Sequence, residues 1–313
     1  MNGIINVYKE KGYTSHDVVA KLRGIFGQKR IGHTGTLDPD AEGVLPICLG
    51  KAARACDMLA EKDKVYETTL LLGKATDTQD LSGKVLEEKE VVCLPAQAEA
   101  AIMGFVGAYR QIPPMYSALK VNGKKLCDLA RAGVTVERKP RDVEIFSIEI
   151  QEIALPKVKM SVHCSKGTYI RTLCHDVGIA LGCGGCMESL VRTRVAGFAL
   201  KDAWRLDGIE AQVKKAREQK KDPKAELSRE DLDGLVKDTD VVFLQYPEVS
   251  VKAEYTKALY NGNPLQEGWL SGWQQEYQEQ MIRVYDSSQV FVGVYRWEEA
   301  RGVIKPVKIF ADC

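Results

Sequence analysis

At 313 residues, 45% apolar and 28% charged, the chain is too long for the usual single compact core, so one large and one small domain are expected. A formal net charge of +1 excludes a globally basic nucleic-acid binder and moves any RNA contact onto local patches, and no stretch reaches the ~18 uninterrupted apolar residues of a membrane span. The start, Met1-Asn2-Gly3-Ile4-Ile5-Asn6-Val7, reads as a strand and not a signal peptide, so a cytoplasmic protein with nine reduced cysteines is expected.

In chain order, Ser15 is the expected N-cap of an amphipathic helix reaching about Phe26, with Gly27 suited to its end. The stretch Gly32-His33-Thr34-Gly35-Thr36-Leu37-Asp38-Pro39 follows. Its glycines permit conformations closed to other residues, and Pro39 stiffens the exit from Asp38, so that carboxylate is presented on a shaped loop between apolar runs. An ordinary turn in which Asp38 bonds its own backbone would use the same residues. Val44 to Leu49 reads as a strand, Lys51 to Ala60 as a short helix and Tyr66 to Leu72 as a strand, before a polar turn-rich loop from Thr76 to Gly83. Pro95 to Phe105 reads as a helix with proline in its first turn.

Residues 108–140 form a turn-rich, basic insertion with Pro113-Pro114, Asn122-Gly123 and lysines from Lys120 to Lys125, suited to gripping a phosphate backbone. Further candidate RNA contacts are Lys29-Arg30, Arg138-Lys139 with Arg141, and Arg192 with Arg194. Alternation predicts strands over Val143 to Ile153 and Val158 to Cys164, then a helix from about Thr168 to Leu181 and a strand pair near Leu190 to Leu200. Val213 to Asp240, charged and carrying Pro223, reads as a helical, surface-lying connection and not as core. From about Tyr246 short strands punctuated by Asn261-Gly262-Asn263-Pro264 and Gly268 run to the end.

Cys183 and Cys186, with Cys174-His175 and His163-Cys164 nearby, offer a possible zinc set and with it a zinc-dependent hydrolase reading. Cys164 and Cys174 nevertheless fall on apolar faces of a strand and a helix, and a second ligand pair at the usual spacing is missing, so no metal is expected.

Four ordered blocks carry a resemblance. Gly32 to Pro39 with Gly43-Val44-Leu45-Pro46-Ile47-Cys48-Leu49-Gly50, then Asp63-Lys64-Val65-Tyr66, then Gln111-Ile112-Pro113-Pro114-Met115-Tyr116-Ser117-Ala118-Leu119-Lys120, then Cys164-Ser165-Lys166-Gly167-Thr168-Tyr169-Ile170-Arg171, together resemble the bacterial tRNA pseudouridine synthase B family. The resemblance covers about residues 1–205 strongly and the rest in outline. It implies an α/β (α+β) body, a mixed, mostly antiparallel sheet with flanking helices over residues 1–212, a charged connection over 213–245, and a small β-rich, PUA-like RNA-binding domain over 246–313.

The implied reaction converts uridine to pseudouridine at position 55 in the T-loop of tRNA. Uracil is detached from C1′ of the ribose, turned, and rejoined through C5, which then loses its proton, and neither cofactor nor metal is required. Asp38 is implied as the catalytic carboxylate, by attack at C1′, addition to the pyrimidine or removal of a C2′ proton; the sequence does not choose among these. Arg171 is implied to pair with it and keep it ionised. An inward salt bridge also explains an arginine on a first helical turn, where the macrodipole disfavours a cation. Tyr66 is implied to stack on the uracil and to handle the C5 proton, while Tyr169 and Leu190 are implied substrate contacts. His33 is implied to fill the space that the flipped nucleotide vacates.

The family's proline after Lys9 is replaced by Glu10, and Asp40 and Glu42 follow Asp38-Pro39, putting three extra acids near the expected RNA path. The expected partner is tRNA, with neither a guide RNA nor an obligate protein partner, because a basic insertion suits an enzyme that grips its own substrate. A tRNA-folding chaperone with secondary or lost catalysis is the alternative reading, and a guide-dependent isomerase is a related one.

Overall fold

The computed structural model of the protein describes residues 1–222, 226–232 and 234–311. Pro223 and Cys313 lie outside them. The chain opens with β1 (Gly3–Lys9), α1 (Ser15–Phe26), β2 (Ile31–His33) and β3 (Glu42–Leu49). A 3-10 turn leads into α2 (Cys56–Ala60), then β4 (Lys64–Leu72), the small pair β5 (Lys74–Thr76) and β6 (Val85–Glu88), and α3 (Pro95–Met103). The insertion leaves β7 (Gly107–Gln111), makes the hairpin β8 (Lys120–Val121) and β9 (Lys124–Lys125) and the short α4 (Leu126–Arg131), and returns into β10 (Arg141–Ala154). Asn122 and Gly123, both at positive φ, make the hairpin's two-residue turn. Then come β11 (Lys157–Cys164), α5 (Ile170–Ala180), β12 (Gly185–Val195), β13 (Phe198–Ala199) and α6 (Leu206–Gln219).

Among the described residues, nine strands form the main sheet in the order β1-β3-β12-β4-β11-β10-β7, with β2 paired to β3 and β13 to β12. Pairing is antiparallel except between β12 and β3, where Val191 and Arg192 meet Glu42 and Gly43. That junction requires glycine: Gly43 has φ +105°, and a Cβ there would lie 2.2 Å from the Arg192 carbonyl oxygen. β3 is a continuous apolar run because both of its faces are covered. On one side Leu45, Ile47 and Leu49 pack with Ile5 and Val7 of β1 against Val18 and Leu22 of α1 and Ile209 and Val213 of α6. On the other, Val44 and Cys48 meet Phe243, just before the C-terminal unit, and Val294 and Phe310 within that unit. Leu70, Val158, Met160, Val162 and Ile145 pack a second core against Ile102 of α3 and Leu173 and Val177 of α5.

The C-terminal unit contains β14 (Glu248–Val251), α7 (Thr256–Tyr260), β15 (Leu270–Ser271), β16 (Met281–Tyr285), β17 (Phe291–Glu298) and β18 (Val303–Ile309). Its strands form a sheet ordered β15-β14-β16-β17-β18. The architecture is thus a mixed α+β body with mostly antiparallel pairing and a β-rich C-terminal unit. Among the described residues no helix is long and apolar enough to cross a membrane.

Two local expectations are corrected. The described part of Val213 to Asp240 is not a surface connection: Val213, Ala216, Leu227, Leu232, Leu235 and Val236 are buried in the core under β1 and β3, and Lys237 bridges Ile4. Its charges occupy the outer face of an amphipathic helix that begins seven residues earlier, at Leu206. The N-cap of α1 is Thr14, whose hydroxyl accepts from the Asp17 N–H while Asp17 accepts from the Thr14 N–H.

Ser15 has another task, because its Oγ accepts from the Leu37 N–H at 3.0 Å and lies 3.4 Å from the Leu37 carbonyl oxygen, tying α1 to the residue before Asp38. Replacing Ser15 by Ala leaves both backbone groups unpaired in a buried place, so S15A is expected to lose about 1–3 kcal/mol of stability in urea unfolding. A loss below about 0.5 kcal/mol, the scatter of neutral surface substitutions, would show that the tether carries no weight.

Candidate active site

Asp38 sits between β2 and β3 on a loop held from several sides. Gly35, at φ +140°, makes the turn that glycine was expected to supply. Gly32 is needed for space instead, since a Cβ there would stand 2.9 Å from Cys56 Sγ. The buried Lys9 amine donates to the Ala41 carbonyl and, at 3.1 Å, to the Pro39 carbonyl, closing the loop on its C-terminal side. Burial lowers the Lys9 pKa to about 8, with Asp38 and Glu42 opposing that shift. Arg192 on β12, fully buried, donates from Nε to the Val44 carbonyl at 2.7 Å and from Nη2 to the Gly35 carbonyl at 3.3 Å. Arg192 was expected on an RNA-facing patch and is instead a strut inside the body. Arg194 remains half-exposed, bonded to Asp63 at 3.1 Å.

Arg171, in the first turn of α5, is 5% exposed and approaches Asp38 with two nitrogens, Nε to Oδ2 at 3.0 Å and Nη2 to Oδ1 at 3.3 Å. Its remaining N–H groups go to the Thr78 carbonyl at 3.0 Å, Asp80 Oδ2 at 3.3 Å and the Tyr116 carbonyl at 2.8 Å. Every donor of the guanidinium is used. Asp80 is held by the Thr78 and Ser82 hydroxyls at 2.7 and 2.6 Å. One arginine therefore joins the Asp38 loop, the Thr76–Ser82 loop and the root of the insertion.

The Asp38 side chain, 39% exposed, opens into a cavity of about 310 Å³. Tyr66, Tyr169, Arg171 and Leu190 line it together with Lys64, Ser117 and Arg192. Register explains part of this grouping, for Tyr66 on β4 lies opposite Arg192 on β12, and Leu190 lies one alternation away. Gln111, buried at the end of β7, both accepts from the Tyr169 N–H at 2.8 Å and donates to the Tyr169 carbonyl at 2.9 Å. Burial raises the Asp38 pKa above the ordinary carboxylate range, opposed by the Arg171 and Lys9 cations, and burial also raises the phenols of Tyr66 and Tyr169.

His33 does not line this cavity. It closes β2 with its ring 5.3 Å from that of His16, and its Nδ1 accepts from the Gly35 N–H at 3.4 Å. Burial lowers its pKa, which favours the neutral imidazole. Of the three extra acids, Glu10 pairs with Arg205, Glu42 accepts from the Tyr8 hydroxyl at 3.2 Å, and Asp40 is exposed. Cys164, Cys174 and Cys186 are fully buried and Cys183 nearly so, and among the described residues no group of three or more His, Cys, Asp and Glu is placed to hold a metal. Nothing in the sequence singles out Ser15, Lys64, Asp80 or Gln111 as site residues. Lys64, Asp80 and Gln111 appear only inside a matched block or a polar loop, without a signal that they face Arg171, Tyr169 or the cavity.

The whole chain matches the fold of solved Cbf5 proteins. One from a structure described as a Cbf5-Nop10-Gar1 complex superposes with a TM-score of 0.74 at 24% identity, covering 99% of this chain and 85% of that one. Residues 23–170 match the family described as TruB family pseudouridylate synthase (N terminal domain), and residues 171–243 the tRNA pseudouridylate synthase B C-terminal domain. Among curated relatives, tRNA pseudouridine synthase B of Lachnoclostridium phytofermentans is 50% identical over 99% of this chain and all of that protein. That of Alkaliphilus oremlandii is 42% identical over 96% and 95%. The chain belongs to the tRNA pseudouridine synthase B family.

Two outcomes follow from the geometry. Arg171→Lys keeps a charge but loses the fork that reaches three loops, so a fall in turnover of roughly 100-fold is expected with RNA affinity nearly unchanged, measured by single-turnover kinetics and filter binding. A variant within about threefold of wild type would contradict the fork's role. Because burial raises the Asp38 pKa, its ionised carboxylate is gained only as pH rises past that elevated value. The acid limb of the rate profile should therefore lie above the ~3.9 of an ordinary aspartate. An acid limb at or below that value would refute the assignment.

Proposed function

We infer that this chain converts uridine to pseudouridine at position 55, in the T-loop of tRNAs, working alone in the cytoplasm without a guide RNA. The observation that carries the reading is the forked Asp38–Arg171 pair opening into a cavity walled by Tyr66, Tyr169 and Leu190. Full-length identity of 50% to a tRNA pseudouridine synthase B supports the substrate class.

In this reading the target nucleotide is turned out of the T-loop and its base enters the cavity against Tyr66, with Tyr169 and Leu190 completing the walls. Asp38 acts at the ribose, where Arg171 and Lys9 favour its ionised form against the opposing effect of burial. Enclosure keeps the detached uracil from escaping while it turns, and the Tyr66 hydroxyl is placed to handle the C5 proton once the carbon–carbon bond has formed. His33, outside the cavity but on the same loop, takes the space left in the RNA. Exposed Lys120, Lys124 and Lys125 on the insertion, with Lys29 and Arg30 near the loop, grip the backbone. This self-supplied grip favours a stand-alone enzyme. The β-rich unit over 246–313 serves as a PUA-like second contact to the same tRNA.

Asp38→Asn separates chemistry from binding. The amide variant should form no pseudouridine in an unmodified tRNA transcript over hours, yet bind that transcript within about threefold of wild type. Conversion at the wild-type rate would remove Asp38 from the chemistry and with it this reading.

A further inference from the structure

Two buried cations beside the cavity form no ion pair among the described residues. Lys64, at the start of β4 and 6% exposed, donates to the Ala60 carbonyl at 2.6 Å, at the end of α2, and to the Lys62 carbonyl just beyond it. Those bonds use two of the three ammonium N–H groups. Arg192, 1% exposed, donates to the carbonyls of Val44 and Gly35. Among the described residues neither has a carboxylate within ion-pair distance, in contrast to Arg171, which has Asp38 and Asp80. Both line the cavity that holds Asp38, Tyr66 and Leu190.

An uncompensated cation in a site shielded from water is costly unless an anion arrives to meet it. The reaction supplies one. When the C1′–N1 bond breaks, its electron pair leaves with N1 and spreads onto O2 and O4 of uracil. The pair returns as C5 bonds C1′, the C5 proton is then lost and N1 gains one, so atoms and charge balance without a co-reactant. Positive charge fixed where negative charge develops lowers the barrier without helping the ground state equally.

We propose that Lys64, backed by Arg192, is the electrostatic acceptor for the departing uracil anion, a catalytic contact to the base distinct from the Asp38–Arg171 pair at the ribose. The proposal rests on the reading of the chain as a pseudouridine synthase. Burial lowers the Lys64 pKa to about 8, so the amine is cationic at neutral pH. Lys9, the other buried lysine by the loop, does not line the cavity and is satisfied by loop carbonyls.

The test compares wild type, Lys64→Met and Lys64→Arg in single-turnover conversion of a tRNA transcript carrying either uridine or 5-fluorouridine at the target. Fluorine withdraws electrons and stabilises the detached base as an anion, which lessens the need for an external cation. K64M should lose roughly 100-fold in rate on uridine with RNA affinity within about threefold, and K64R should recover most of that loss. On 5-fluorouridine, followed as consumption of the unrearranged nucleotide, the K64M loss should shrink at least about fivefold.

Equal losses on both substrates without rescue by K64R would mean that Lys64 only caps α2, and a weakened affinity at unchanged rate would mean that it meets a backbone phosphate. Either result overturns the proposal. Thermal melts of all three proteins identify a variant that has merely unfolded, in which case K64R, which keeps the charge and the stem, decides through its own ratio of the two substrates. A wild-type protein inert on both transcripts would instead sink the functional reading itself.

Discussion

The bonds of the Arg171 guanidinium are the constraint on which the site depends. A carboxylate in a partly closed cavity drifts toward its neutral form, and a fixed guanidinium opposes that drift most effectively when it cannot turn away. Here it cannot, because the nitrogens that face Asp38 belong to a planar group whose other donors are held by Thr78, Asp80 and the Tyr116 carbonyl. The order of the Asp38 side chain is therefore inherited from two other loops. The same bonds make the root of the basic insertion part of the site, so that the element suited to grip RNA and the carboxylate suited to act on it share one residue.

Around this fork the body supplies rigidity from buried struts. Lys9 and Arg192 end on backbone carbonyls at both sides of the Asp38 loop, Ser15 ties Leu37 to α1, and Gln111 clamps the backbone of Tyr169. Each is a polar group that pays for burial by bonding main chain that would otherwise stay unpaired. The burial of β1 and β3 on both faces fixes the platform from which the loop projects.

Much of this was legible in the residues. Alternation and helical spacing located most of the strands and helices of the body, because those elements bury one face against a common core. The motif blocks named Asp38, Tyr66, Tyr169 and Arg171, and the family resemblance added Leu190; all five meet at one cavity. What stayed hidden was of another kind. Asp80 looked like any acid in a turn-rich loop, since nothing local reveals that a distant arginine will reach it. Arg192 looked like surface charge because its partners are carbonyls, which carry no sequence signature. The charged run after residue 206 concealed an amphipathic stripe, Leu206, Ile209, Val213 and Ala216, whose polar face dominates its composition. His33 was named from its place on the loop, and β2 turns it outside the cavity toward His16.

In the proposed function a lone protein moves one uridine's glycosidic bond from nitrogen to carbon by means of a carboxylate fixed by Arg171. The most direct measurement is nucleotide-resolution mapping of pseudouridine in an unmodified tRNA transcript incubated with the purified protein and nothing else. The account predicts one modified position, the T-loop uridine. A transcript left unmodified until another RNA or protein is added, or one modified outside the T-loop, would contradict it.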